Sequence, residues 1–211
     1  MPPTESSPNP VPTPAPTFQV IYADPPWRYG NNVGRGGTKW GTIEAQYPTM
    51  ALPDICALDV PAAPDSVLYL WATAPLLPEA LAVMAAWGFK YKSCAVWDKG
   101  RARLGYWWRG QHELLLVGVR GKVSPPISSL RRSSVFSFPA GKHSAKPAQV
   151  RDYIASAFPE ASRLEMFART ATPGWAVWGN EVTSDGNVAL PTEAYVPAPK
   201  DYGGQRLLDF D

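Results

Sequence analysis

The chain has little of what metal, redox and secreted proteins need. It contains two cysteines, Cys56 and Cys94, and two histidines, His112 and His143. Two cysteines are too few for a disulfide framework, and their spacing relative to the histidines suggests no zinc site, so both are expected in the core. No apolar run approaches the roughly 20 residues of a membrane span. The first residues lack the basic start, apolar stretch and small-residue cleavage site of a signal peptide, so a soluble cytoplasmic protein is expected. The glycine fingerprint G-x-G-x-x-G is also missing, which argues against a nicotinamide or flavin enzyme. No internal repeat is found.

What is present points to one α/β domain. With 211 residues, 45% of them hydrophobic, the chain has apolar material for a single substantial core. Residues 1–17 are rich in Pro, Ser and Thr with little to bury, and predict a disordered leader. Residues 182–211 return to Pro, Gly and Asp without periodicity and predict a loosely attached extension, leaving 18–181 as the folded domain. Short apolar runs predict strands near 19–23, 66–72, 93–97, 113–119, 135–138, 163–168 and 175–178. Between them lie helix-like patches, the alternation of an α/β sheet protein with helices on both faces. The clearest helix runs from Pro75 to Trp87, with Thr73 as cap, Gly88 as stop and an apolar stripe of Leu77, Leu81, Met84 and Ala85. A second is expected from Pro147 to Phe158. In such sheets ligands bind at the carboxyl ends of the strands. Asp24 and Arg169 both follow predicted strands.

The most informative stretch is Asp24-Pro25-Pro26-Trp27, delivered by the first strand. Two prolines fix two φ angles and remove two backbone donors, so the turn is rich in acceptors. An exocyclic amine on a nucleobase is a poor nucleophile unless its N–H groups are accepted. Asp24 and the Pro25 carbonyl fit that role, and such contacts strengthen as positive charge develops on nitrogen. Trp27 is expected to stack on a base that is single-stranded or flipped from a duplex. The bland reading of the same four residues is a turn that ends a strand and buries a tryptophan.

Other blocks stand downstream in a fixed order: Tyr47-Pro48-Thr49-Met50, Gly105-Tyr106-Trp107-Trp108-Arg109 leading into Gln111-His112-Glu113, and His143-Ser144-Ala145-Lys146-Pro147. Leu164-Glu165-Met166-Phe167-Ala168-Arg169 and Trp178-Gly179-Asn180-Glu181 complete the series. In these blocks, from about Phe18 to Glu181, the chain resembles the MTA-70 family of N(6)-adenine methyltransferases, in particular its compact prokaryotic and phage members. The resemblance implies a Rossmann-like methyltransferase sheet in permuted motif order and S-adenosylmethionine as methyl donor. It further implies that Lys146 pairs with the cofactor carboxylate, that Arg169, Asn180 and Glu181 hold its ribose and adenine, and that Asp24 faces its ammonium. Tyr47 resembles the aromatic that ends the glycine-rich loop 30–41 and covers cofactor and base, with loop anchoring as its alternative. Trp107, Arg109, His112 and Glu113 fall in the blocks assigned to the substrate. Larger members carry an acidic strand end upstream of the catalytic motif; here that region is the Pro-rich leader. No metal or covalent intermediate is required.

Charge supports a polyanionic substrate. Between Lys90 and Arg151 thirteen Lys or Arg face only Asp98 and Glu113, so this segment carries +11 within a chain of net +2. Tyr106, Trp107 and Trp108 beside Arg101, Arg103 and Arg109 offer stacking together with charge. Packing of those tryptophans into the core is the alternative. The sequence thus predicts an adenine methyltransferase acting on nucleic acid, DNA favoured over RNA. An RNA enzyme, or a non-catalytic partner subunit within an oligomer, is the competing reading.

Overall fold

The computed structural model describes residues 16–28, 49–103, 105, 107–141, 145–180 and 182. The strands β1 (Phe18–Ala23) and β2 (Ala62–Ala72) pair in parallel at the centre of the sheet. Their apolar residues divide by a period of two. Ile21, Ala23, Leu68, Leu70 and Ala72 enter one buried cluster, whereas Val20, Tyr22, Val67, Tyr69 and Trp71 enter another. Strands that are apolar at every position need cover on both faces. The helices α1 (Leu52–Cys56) and α2 (Leu77–Ala86) supply it on the first face through Ile55, Ala80, Val83 and Met84. On the other face α3 (Ala148–Ala157) packs with Val150 and Ile154.

The remaining strands are β3 (Lys90–Asp98), β4 (His112–Arg120), β5 (Val135–Ser137), β6 (Arg163–Met166) and β7 (Ala176–Trp178). They complete a seven-stranded sheet in the order β5-β3-β4-β2-β1-β6-β7. β4 runs antiparallel to both β2 and β3, and every other pairing is parallel. This direction decides where the loops emerge. Ala72 at the end of β2 lies opposite Leu114, and Asp98 at the end of β3 lies opposite His112. The β3–β4 connection therefore leaves from the same edge as Asp24.

All seven predicted strands and both predicted helices are present, and helices cover both faces. The details of α2 differ from expectation. A 3-10 turn at Ala74–Leu76 precedes it, Thr73 makes no side-chain capping hydrogen bond, and Leu81 is exposed. Three extra residues of 3-10 geometry start the α-helix later and rotate its buried face to Ala80, Val83 and Met84. Its end is as expected. Gly88 adopts φ +79°, the Gly88 amide donates to Ala85, and the Phe89 amide donates to Met84, a Schellman closure. The short helix α1 has no counterpart among the predicted elements. Cys56 and Cys94 are free thiols packed against the first buried cluster. Among the described residues no helix is long and apolar enough to cross a membrane. The greater part of the leader and the extension, and the glycine-rich loop with Tyr47, lie outside the described residues, as do His143 and Glu181.

Candidate active site

β1 ends at Ala23, and the turn that follows is closed by its own backbone. The Trp27 amide donates to the Pro25 carbonyl at 2.8 Å, and the Met50 amide donates to the Pro26 carbonyl at 2.9 Å. Each carbonyl oxygen retains one lone pair. The acceptor-rich turn expected from two prolines is thus partly consumed in fixing its own shape, and the side chain of Asp24 is its most available acceptor.

Trp27 takes a different role from the one expected. Its ring is only 8% exposed and packs in the buried cluster on the α1 and α2 face. The indole N–H donates to the Trp71 carbonyl at 3.2 Å. A ring enclosed in this way has no free face for a base, because core packing satisfied both its apolar surface and its donor. Trp27 anchors the turn that carries Asp24.

Asp24 heads a chain of alternating charges. Lys146 Nζ lies 2.7 Å from Asp24 Oδ2 and 3.2 Å from Glu113 Oε2, and Glu113 Oε1 lies 2.5 Å from Lys99 Nζ. Lys146 is only 12% exposed and sits 5.6 Å above the ring of Trp71. A cation buried this far is tolerated because it is paired. Burial alone would lower its proton affinity, but Asp24 and Glu113 outweigh that and hold it charged, with its pKa raised. For Asp24 burial is the larger influence and raises the carboxyl above its usual range, Lys146 pulling it back and the Glu113 charge pushing it further up. Glu113, expected at the substrate, instead shares the cation behind Asp24. A glutamate buried within a strand must be paired, and Lys146 and Lys99 are the partners in reach.

Asp24 and Lys146 open into a surface cleft. Arg169 and Phe167 line it after β6, Glu165 within β6, and Tyr22 beside it on β1. Nothing local in the sequence around Glu165 marks it for a role. In β6 the alternation sends Leu164 and Met166 into the core and Glu165 to the opposite face, where both its oxygens accept from Arg151 Nη1 at 2.9 and 2.7 Å. Burial raises the Glu165 carboxyl, and Arg151 opposes that shift. Arg151 Nε is buried without a partner among the described residues.

β6 stops because Phe167 adopts φ +62°, the one positive φ outside glycine among the described residues. Such strain in a bulky residue concentrates at functional sites. The kink turns Phe167 edge-on to Trp178, 5.1 Å between ring centroids, and aims the Ala168 amide at the Trp178 carbonyl, 2.9 Å away. The chain after β7 comes so close that a Cβ at Gly179 would stand 2.0 Å from the Ala168 carbonyl oxygen. That contact explains why glycine follows Trp178 in the sequence. Asn180, the next residue, is exposed and is not among the cleft-lining residues.

Trp71 was also missed. Its carbonyl holds Trp27, its indole N–H donates to the Tyr22 hydroxyl at 2.7 Å, and its face lies under Lys146. Within an apolar strand run nothing distinguishes it from ordinary core. The other expected substrate residues sit at the β3–β4 connection: His112 opens β4, and Trp107 and Arg109 are exposed in the loop before it. Packing of Trp107 and Trp108 into the core is therefore excluded.

A sheet edge that presents an acceptor turn after its first strand, beside a cleft with both signs of charge, suits transfer to an amine from a charged donor. The MT-A70 family matches residues 18–181. The chain belongs to that family. Its order of elements and motifs is the one expected for a Rossmann-like N(6)-adenine methyltransferase, and the resemblance drawn from the six sequence blocks holds. The type II methyltransferase M.MunI of Mycoplasma sp is 34% identical over 87% of this chain and 85% of its own length. An N(6)-adenosine-methyltransferase MT-A70-like protein of Arabidopsis thaliana is 28% identical over 79% of this chain but only 24% of its own. The N6-methyladenosine RNA methyltransferase MTA1 of Pyricularia oryzae is 32% identical over 80% of this chain and 48% of its own. The chain thus spans nearly all of M.MunI and a quarter to a half of these eukaryotic relatives. It is an adenine methyltransferase by family, and enzymes of the family depend on S-adenosylmethionine.

Proposed function

We propose that this protein methylates the N(6) amine of adenine in DNA with S-adenosylmethionine as donor. The observation that carries the reading is Asp24, a carboxylate fixed at the mouth of the cleft by Lys146. The donor is a zwitterion with a cationic sulfonium, and the cleft offers both complements. Asp24 and Glu165 face its cationic groups, and Lys146 and Arg169 suit its carboxylate and ribose. Phe167 adds an apolar wall. Asn180 and Glu181, which follow Trp178-Gly179 in the sequence, are assigned to the ribose and adenine from the family pattern. Bound there, S-adenosylmethionine supplies an electrophilic methyl group.

The chain's own work concerns the amine. Asp24 accepts one amine hydrogen and the remaining lone pair of the Pro25 carbonyl accepts the other, which leaves the nitrogen lone pair free to act as nucleophile. These contacts tighten as nitrogen gains positive charge, so they favour the transition state over the bound ground state. Asp24 must be ionised to oppose the positive charge that develops on nitrogen, and Lys146 opposes the burial that would protonate it. Trp27 and the Met50 bridge keep the turn rigid, which holds the acceptors at fixed separation. Tyr47 is assigned to cover the base, and Trp107, Arg109 and His112 to contact the nucleic acid around it.

DNA is preferred to RNA because the match to M.MunI runs nearly end to end, whereas the RNA methyltransferase match spans half of that protein. The test is transfer of labelled methyl from S-adenosylmethionine to single-stranded DNA, duplex DNA and RNA, followed by nucleoside analysis. N(6)-methyldeoxyadenosine from DNA supports the reading. Label in RNA alone shifts the substrate class, and cofactor binding without transfer to any of the three favours a non-catalytic subunit.

A further inference from the structure

We propose that the tip of the β3–β4 connection is a wedge that enters duplex DNA, Trp107 and Trp108 filling the position that the target adenine leaves. The inference rests on the DNA reading above and extends it to the strand state of the substrate. Trp107 is 95% exposed and Trp108 is 88% exposed. Two adjacent indoles turned to water forgo the burial that makes tryptophan useful in a fold, so their surface is available to a ligand.

The chemistry around them selects a polyanion. Arg101, Arg103 and Arg109 are all exposed, and no acidic residue occurs from Lys99 to His112. Cations contact phosphates while flat aromatic faces stack on bases, and the tip offers both.

The tip is also held in place. The Arg103 amide donates to the Gly110 carbonyl at 2.8 Å and the Lys99 amide to the Gln111 carbonyl at 2.9 Å, so the connection is a closed hairpin extension. At its base Asp98 Oδ1 accepts from the Gly100 amide and from Gln111 Nε2 at 2.8 and 2.9 Å. Near its end the backbone doubles back, and a Cβ at Gly105 would lie 1.9 Å from the Trp108 carbonyl oxygen. The ion pairs Lys99–Glu113–Lys146–Asp24 then tie the stem to the catalytic turn. β4 and β1 are separated by β2 alone, about 10 Å at the usual strand spacing. An indole wedge that projects beyond the sheet edge from the strand two places from β1 suits a base that must leave its stack to reach Asp24. Extrusion costs stacking and pairing, and side chains that fill the gap recover part of the stacking.

The experiment uses a duplex oligonucleotide carrying the sequence found methylated on plasmid DNA. The same duplex is then tested with an abasic site opposite the target adenine, which removes the pairing to be broken. The double variant Trp107→Ala/Trp108→Ala is expected to lose about 100-fold in kcat/KM on the paired duplex and less than about 5-fold on the abasic one. Trp107→Phe/Trp108→Phe, which keeps aromatic faces, is expected to recover most of the paired activity. 2-Aminopurine at the target should brighten with wild type and not with the alanine variant. Equal losses on both duplexes, or no loss, would overturn the wedge. So would a change in the protein's mass in solution that accompanies equal losses, which would mark the face as an interface between copies. If the wild-type protein transfers methyl to no DNA at all, the underlying reading fails first and the wedge with it.

Discussion

The stem and the tip of one hairpin use charge in opposite ways. In the stem, Glu113 is buried and Lys99 half-buried, and the pair is tied through Lys146 to Asp24. At the tip, Arg101, Arg103 and Arg109 stand exposed among tryptophans. Buried charges interact strongly, respond little to salt and shift the proton affinity of their neighbours. Exposed ones are screened within about 10 Å at moderate ionic strength and act mainly by attracting a polyanion. In the proposed mechanism the two have separate functions: the stem tunes the acceptor, and the tip engages the nucleic acid.

Removing the shared cation should be the most damaging change to the stem. Lys146→Met leaves Asp24 and Glu113 facing each other without a counter-charge, and is expected to lower methyl transfer at neutral pH by about 100-fold. The sign of its pH effect follows directly. Asp24 loses what favours its ionised form, its pKa rises further, and the acid limb of the kcat/KM profile moves to higher pH. A profile from pH 5 to 9 checks this. Glu113→Gln should act in the opposite direction on the same limb. It removes a like charge that raises Asp24, so the limb moves to lower pH, with a smaller loss of about 10-fold at neutrality. If both variants moved the limb the same way, the ion chain would not be what sets Asp24. The smallest effect is expected from a single charge at the tip. Arg109→Ala should weaken DNA binding a few-fold, leave the acid limb unmoved, and reduce the slope of log K against log salt by about 1. Binding titrations between 50 and 200 mM salt read it, and an altered pH profile there would erase the distinction between stem and tip.

Sequence reasoning reached the fold because its signals are local. Apolar runs, the Gly88 stop and a strand delivering Asp24 each declare themselves within a few residues. Position at the cleft was legible where a residue type permits few uses: Asp24, between a strand and two prolines, and Lys146, before a proline, both line it. It was misread where the type permits several. Trp27 fits a stacking platform and a core anchor equally well, and only its neighbours decide. Glu113 looked like a substrate contact because strand direction, which brings it behind Asp24, is a property of pairing and not of β4 itself. Phe167 carries its strain in a dihedral angle that no composition reveals, although Gly179 hinted at a close approach nearby.

In the proposed mechanism Asp24 is the group that accepts the adenine amine hydrogens. The direct measurement is single-turnover formation of N(6)-methyldeoxyadenosine in DNA at saturating S-adenosylmethionine, comparing wild type with Asp24→Asn and monitoring cofactor binding in parallel. The amide keeps the shape and one acceptor but loses the charge. We expect the rate to fall by about 1000-fold while the variant still binds cofactor. A variant that binds cofactor and methylates DNA at the wild-type rate would contradict the account.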